Sequence, residues 1–189
     1  MSEKNHSRIS ILMLIWLVLC VTGFVALAAY STDAGEQAPA PNKIEVAKPK
    51  LMMFIHPKCT CTRASVVELH KLVDGVDTDV DIIAYFVEYN SLENTLEESE
   101  HWKKLARHDE IIRKRDPEGT KASKYGALTS GHCVLYDANG KLIYQGGITP
   151  SRGHEGKSPG QAKILNHLNR TGNTEYSREA VFGCPTFNH

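Results

Sequence analysis

Leu51-Met52-Met53-Phe54-Ile55-His56-Pro57-Lys58-Cys59-Thr60-Cys61-Thr62-Arg63-Ala64-Ser65 is the stretch that decides how this chain folds. Its first five residues are apolar without a break, the pattern of a buried strand. After Arg63, the residues Val66, Leu69 and Leu72 recur at helical spacing. Two cysteines one residue apart therefore stand where a strand turns into a helix. The unpaired N–H groups and positive dipole end of a helix start favour a thiolate over a thiol. Lys58 and Arg63 act in the same sense. Three chemistries use such cysteines: a redox pair, an inert structural bridge, or half of a metal site. A zinc site usually adds a second close pair, whereas Cys133 and Cys184 lie far apart in the chain. The redox reading is preferred.

Working outward, 189 residues less an anchor and a linker leave room for one domain of about 140. Lys and Arg number 22 against 22 Asp and Glu, with no long basic stripe, which argues against nucleic acid as a partner. Ile9–Tyr30 carries no charged residue, and its 22 residues suffice to cross a bilayer as a helix. Lys4 and Arg8 precede it, and Asp33 and Glu36 follow it. The positive-inside bias then leaves residues 1–8 in the cytoplasm and carries the domain across the membrane, into the periplasm of a bacterium. Ala26-Leu27-Ala28 offers a signal-peptidase pattern, but the apolar run exceeds the usual signal length, so a retained single-pass anchor is expected. Cys20 follows Leu19 rather than a small residue, which argues against a lipoprotein site. Cys59, Cys61, Cys133 and Cys184 then lie in an oxidising compartment, where three pairings are open.

Residues 31–49 are polar and carry Pro39, Pro41 and Pro49, as in a flexible, extended tether. The domain is expected over residues 50–170. Val80–Val87 predicts a second buried strand, and Leu92–Arg107 a charged helix turning Leu96, Trp102 and Leu105 inward. Glu110–Arg115 is a short strand or connector. Asp116–Gly126 predicts a helix with Pro117 in its first turn and Gly126 as terminator. Cys133–Tyr136 and Lys141–Gln145 flank a turn at Asp137-Ala138-Asn139-Gly140 and form a hairpin. Ser158 caps a last helix to about Leu168, with Ala162, Leu165 and Leu168 inward. The tail, residues 171–189, lacks a period, yet Val181–Phe187 is too apolar to be simply solvated. Its Cys184 either fastens the tail or serves as a third redox thiol, with fastening preferred.

The element order β-α-β-α-β-α-β-β-α resembles the thioredoxin fold over Lys50–Leu168. Within that superfamily, four motifs look like the RedB-type membrane-anchored proteins. They are His56-Pro57-x-Cys59-x-Cys61-x-Arg63-Ala64-Ser65, Thr129-Ser130-Gly131-His132, Gly146-Gly147-Ile148-Thr149-x-x-Arg152-Gly153-His154-x-Gly156 and Phe182-Gly183-Cys184-Pro185. The resemblance implies an α/β fold, a mixed central sheet flanked by helices, behind an N-terminal transmembrane helix. The preferred function is a thiol–disulfide oxidoreductase without a cofactor, acting on protein thiols or disulfides, a maturing metalloprotein among the candidates. Two features depart from the thioredoxin pattern. One residue rather than two separates the cysteines, so Thr62 holds the usual second position. The usual cis-proline before the hairpin strand is replaced by His132, followed by Cys133.

Within this frame Cys59 is the expected exposed nucleophile, and Cys61, deeper in the helix, the shielded resolving thiol. Helical residues two apart point to nearly opposite sides, so a Cys59–Cys61 bond needs Cys59 outside the helix and closes a strained, oxidising ring. His56 is either a proton donor or a plain surface residue. By fold analogy, the Ser130-Gly131-His132-Cys133 loop and the Thr149–Gly156 loop approach the cysteines. His132 and Cys133 then adjust the site, and Arg152 and His154 offer cations to a thiolate or an anionic substrate group. Cys133 is alternatively a buried small hydrophobe. Two other function classes stay open: a Cu(I)-handling protein binding through His56, Cys59 and Cys61, and a non-catalytic binding module. A peroxidase is disfavoured, because His56 stands where peroxiredoxins place a Thr. A reporter that works only outside the cytoplasm, fused at Pro49, is expected to be active. An active cytoplasm-only reporter there overturns the orientation.

Overall fold

Successive residues of β1 (Lys50–Ile55) serve opposite faces of the sheet, which is why its apolar run is unbroken. Leu51, Met53 and Ile55 join one core cluster, and Met52 and Phe54 the other. The computed structural model describes residues 3–89, 96–169 and 175–187. It divides into two units, Met1–Asp33 and Ala34–His189. The first is essentially α1 (Glu3–Thr32). Its stretch Arg8–Thr32 is long and apolar enough to cross a membrane, a property that signal sequences share.

In the second unit, β1 is followed by α2 (Thr62–Asp74), β2 (Asp81–Glu88), α3 (Glu100–Leu105) and β3 (Ile111–Pro117). Then come α4 (Thr120–Lys124), β4 (His132–Tyr136), β5 (Leu142–Gly146), α5 (Pro159–Leu168) and β6 (Ser177–Arg178). The strands form one sheet in the order β3-β2-β1-β4-β5-β6. β1, β2 and β3 are parallel, β4 is antiparallel to β1 and to β5, and β6 runs parallel to β5. This is the mixed, thioredoxin-like sheet that the element order implies. On one face Val66, Leu69 and Leu72 of α2 and Ile164 and Leu168 of α5 close over Leu51, Met53 and Leu135. On the other, Ala122 and Tyr125 pack with Phe54, Val134 and Tyr136.

Several boundaries differ from expectation, each for a local reason. Where a helix over Leu92–Arg107 was expected, α3 begins only at Glu100, because the Ser99 hydroxyl takes the N–H of Trp102. Residues 92–95 lie outside the described residues. Leu96 and Leu105 are buried and Trp102 packs against the core, as expected. Pro117 ends β3 rather than opening a helix. The Asp116 carboxylate accepts the N–H groups of Lys121 and Ala122 at 2.7 and 2.8 Å, and so starts α4 later. In α5 it is Ile164 and Leu168 that turn fully inward; Leu165 is half-buried and Ala162 is exposed.

The expected flexible linker also needs correction. Residues 34–44 lie along the second unit as a strap. Ala38 N–H donates to Gly126 O at 3.0 Å, Ile44 N–H to Gly140 O at 2.9 Å, and Leu142 N–H to Asn42 O at 2.9 Å. Pro39 and Pro41 have no N–H to donate, and other groups pair the backbone around them. The Gln145 side chain donates to Ala38 O and accepts from Ala40 N–H, while Tyr136 Oη donates to Pro41 O. The tail is docked too: Gly35 N–H reaches Val181 O, and Thr186 N–H reaches Leu128 O, both at 2.8 Å.

Gly126 pins the strap from below. Its φ is +65°, and an added Cβ would stand 2.0 Å from Ala38 O. Gly126→Ala is expected to cost about 1–3 kcal/mol, the cost of a side chain in the left-handed region, and to open residues 34–44 to limited proteolysis. Urea unfolding and digestion of the two proteins measure this; an unchanged midpoint and digestion pattern refutes the role.

Candidate active site

Cys59 leaves the end of β1 in a tight turn. Its N–H donates to His56 O at 3.1 Å, and its carbonyl accepts from Thr62 N–H at 3.1 Å. Cys61 is the N-cap residue of α2, with helical dihedrals of −66° and −29°. The exposures are the reverse of those expected: Cys59 is 2% exposed, whereas Cys61 is only half-buried. Position relative to the helix does not decide shielding here, because the C-terminal tail covers Cys59. Cys184 N–H donates to Cys59 Sγ at 3.3 Å. The sulfur atoms of Cys59, Cys61 and Cys184 all lie within 4.8 Å of one another, and all three are free thiols.

Charge is divided unequally among them. Burial alone would push the Cys59 thiol up. Hydrogen bonds from the Cys184 thiol, the Thr62 hydroxyl and the N–H groups of Cys184 and Thr62 outweigh it and bring Cys59 below its ordinary value. Cys184 moves the other way, up to about 12, through burial, its hydrogen bond to Cys59, and the charges of Cys59 and Cys61. A thiolate at Cys59 and a proton on Cys184 is the favoured arrangement. Hydrogen bonds, rather than Lys58 and Arg63, are the main stabilisers of the buried charge.

Ser130 organises the floor. Its hydroxyl accepts His56 N–H at 2.8 Å and lies 2.7 Å from Thr62 Oγ1, while its own N–H donates to Cys184 O at 2.9 Å. A Thr62 hydroxyl that donates to Cys59 leaves its oxygen to accept from Ser130. Thr62, in the place of the usual second cysteine, thus acts as a donor to the first.

The other expected site residues divide. His56 is buried rather than a surface residue, and its Nδ1 accepts Lys58 N–H at 3.3 Å. Burial and the Lys58 charge lower its pKa, so it is neutral near pH 7. It is not one of the three clustered ligand groups; Cys184 takes the place expected for His56. His132 sits in β4 with both ring nitrogens unpartnered, and burial brings its pKa to about 3. Cys133 is fully buried in the core, its thiol pushed up by burial, and its Sγ faces Gly131 O. It is a core residue, separate from the three clustered thiols. The Arg152 guanidinium donates to Gly183 O and so holds the tail beside Cys184. A Cβ on Gly153 would come within 3.9 Å of Cys61 Cα, so that loop does reach the site. His154 is exposed and bonds to Arg152 O at 2.8 Å.

His101, on α3, is a site residue without a signal in the sequence. Only 5% exposed, it bonds through Nε2 to Cys59 O at 2.9 Å. Burial lowers its pKa, and a carbonyl partner requires that Nε2 carry the proton. Outside the cysteine turn lies a cleft of about 480 Å³ lined by Pro57, Lys58, Thr60, Arg63, Glu100 and His101.

No family model and no curated protein matches this chain. Solved structures do. An uncharacterised conserved protein from Geobacillus kaustophilus superposes with a TM-score of 0.56 at 18% identity, over 82% of this chain and 91% of that one. A hypothetical protein from Sinorhizobium meliloti 1021 gives 0.54 at 17%, over 82% and 92%. A secreted Mycobacterium tuberculosis disulfide oxidoreductase superposes more loosely, at 0.43 and 13%, over 66% and 82%. At these identities the likeness is one of fold.

Alkylation of the reduced protein across pH is expected to show a Cys59 thiolate transition below the ordinary thiol value of about 8.5. The sign follows from the hydrogen bonds, which stabilise the charged form, so Cys59 stays reactive as the pH falls below that value. Thr62→Val removes one donor and raises the transition. An unshifted Cys59, or one indifferent to Thr62→Val, refutes the hydrogen-bond account.

Proposed function

We propose that this chain is a membrane-anchored, extracytoplasmic thiol–disulfide oxidoreductase of RedB type, held by Ile9–Tyr30 and acting on protein thiols or disulfides. The observation that carries the proposal is a buried Cys59 whose hydrogen bonds favour the thiolate, with two further thiols within 4.8 Å. A structural cysteine gains nothing from a lowered pKa; an exchanging one does. The Cys-x-Cys motif supplies two of the thiols. Cys61, the more accessible, meets the substrate, and Cys59 supplies the buried thiolate. His56 and His101, both neutral, border the turn without adding charge. Substrates include cysteine pairs of a maturing metalloprotein, in keeping with the RedB-type motifs.

Cu(I) handling is the second reading, and one observation favours it: three sulfur donors converge at one point, a set suited to a soft monovalent ion. The ligand set is then Cys59, Cys61 and Cys184.

A redox titration of the full chain in detergent, against thiol–disulfide buffers, separates the two. The oxidoreductase reading expects a two-electron transition, tenfold per about 30 mV, with catalysed exchange of a protein disulfide that Cys59→Ser abolishes. A site that never oxidises, and instead retains one Cu(I) against a competing chelator, overturns that reading in favour of copper.

A further inference from the structure

A Cys-x-Cys pair raises a geometric difficulty that this site answers in an unusual way. Cys59 and Cys61 share one turn, since Cys59 O accepts Thr62 N–H and Cys61 O accepts Ala64 N–H. Cys59 lies outside α2, which lets its sulfur come within 4.8 Å of Cys61 Sγ. A direct bond between them would close a small, strained ring across one intervening residue. Cys184 comes from another segment and carries no such restriction. Its N–H already donates to Cys59 Sγ, and its sulfur lies within 4.8 Å of those of both Cys59 and Cys61. The tail that carries it is held on both sides of the cysteine. Arg152 holds Gly183 O, Ser130 N–H holds Cys184 O, and Pro185 is bridged to Thr129. Gly183 is required there, because a Cβ would stand 2.1 Å from Ser130 O.

We propose that Cys184 is the resolving thiol of this site and that its stable oxidised form is a Cys59–Cys184 disulfide. The inference rests on the oxidoreductase reading and assigns the third thiol a role within it. For a substrate disulfide, the Cys61 sulfur attacks one sulfur, the substrate S–S bond breaks, and the first substrate sulfur departs as a thiol with the Cys61 proton. The Cys59 thiolate then attacks Cys61 Sγ, releasing the second substrate thiolate and leaving a strained Cys59–Cys61 bond. Cys184 attacks Cys59 Sγ, that bond breaks, and the Cys184 proton passes to the departing Cys61 sulfur, which lies within 4.8 Å of Cys184 Sγ. Two electrons have moved from Cys59 and Cys184 to the substrate disulfide, and Cys61 is a thiol again. A substrate dithiol is oxidised by the same steps in reverse. Release of strain favours the last exchange, and Cys59, once bonded, no longer carries the charge that helps keep the proton on Cys184.

The test is to oxidise the full chain in detergent with oxidised dithiothreitol or oxidised glutathione, quench by alkylation, and map disulfides by mass spectrometry. The wild-type protein is expected to give Cys59–Cys184, with Cys61 alkylated. Cys184→Ser is expected to stop at Cys59–Cys61, with at least roughly tenfold greater susceptibility to reduction. Cys61→Ser is expected to form the Cys59–Cys184 bond at least roughly tenfold more slowly with a protein disulfide. A wild-type end state of Cys59–Cys61 with Cys184 alkylated overturns the proposal and leaves the oxidoreductase reading standing. No disulfide under any oxidant overturns both. Mapping the wild-type protein decides the matter even where a substitution disturbs folding.

Discussion

Ser130 is the knot on which this site depends. Its hydroxyl and N–H join three segments far apart in the chain: the end of β1 at His56, the first turn of α2 at Thr62, and the tail at Cys184. The next residue, Gly131, with φ of +90°, carries the chain past α2; a Cβ there would stand 2.7 Å from Ser65 Oγ. Gly131 N–H donates to Phe54 O and continues the β1–β4 pairing up to the cysteine turn. A side chain in the place of the Ser130 hydroxyl that could not both accept and donate would leave the His56 amide or Thr62 unpaired in a buried setting, which is costly. The acidity of Cys59 therefore begins with the loop before β4, not with the cysteine motif.

Burial and charge compete at Cys59, and the balance explains the crowding of donors. A thiolate removed from water loses its solvation, and burial is the largest single influence on Cys59. Lys58 and Arg63 line the outer cleft. What offsets desolvation is a set of short-range donors: a thiol, a hydroxyl and two backbone N–H groups. Such donors are fixed by the fold and are little screened by salt, unlike a surface cation. The tail both buries the sulfur and supplies two of the donors, so it is part of the site and not a cover laid over it.

How much of this was legible in the sequence depends on how local the signal is. The apolar run of β1, the Val66-Leu69-Leu72 period, the hairpin and the Ser158 cap are written in neighbouring residues, and the structure agrees with them. In the sequence the strap looks like a tether, because prolines and polar residues look the same in a tether and in a segment whose partners come from elsewhere. Gln145 and Tyr136 lie about a hundred residues away. His101 and Cys184 stand 42 and 125 residues from Cys59 and carry no local pattern that would place them beside it. The reversed exposures of Cys59 and Cys61 have the same origin. Periodicity tells which way a side chain points along its own helix but nothing about what another segment lays over it.

The distribution of protons bears on which chemistry three clustered thiols serve. A soft metal ion held by all three needs three thiolates, and Cys184, at about 12, gives up its proton only at a cost that the metal must supply. Disulfide exchange asks less of the same cluster. It needs one thiolate at a time, and the hydrogen bonds supply it at Cys59. It also needs a protonated neighbour to hand a proton to the sulfur that leaves, and Cys184 is that neighbour. The cluster holds a buried sulfur whose hydrogen bonds favour the thiolate, a half-buried second sulfur and a reluctant third, an asymmetry suited to passing a bond from sulfur to sulfur.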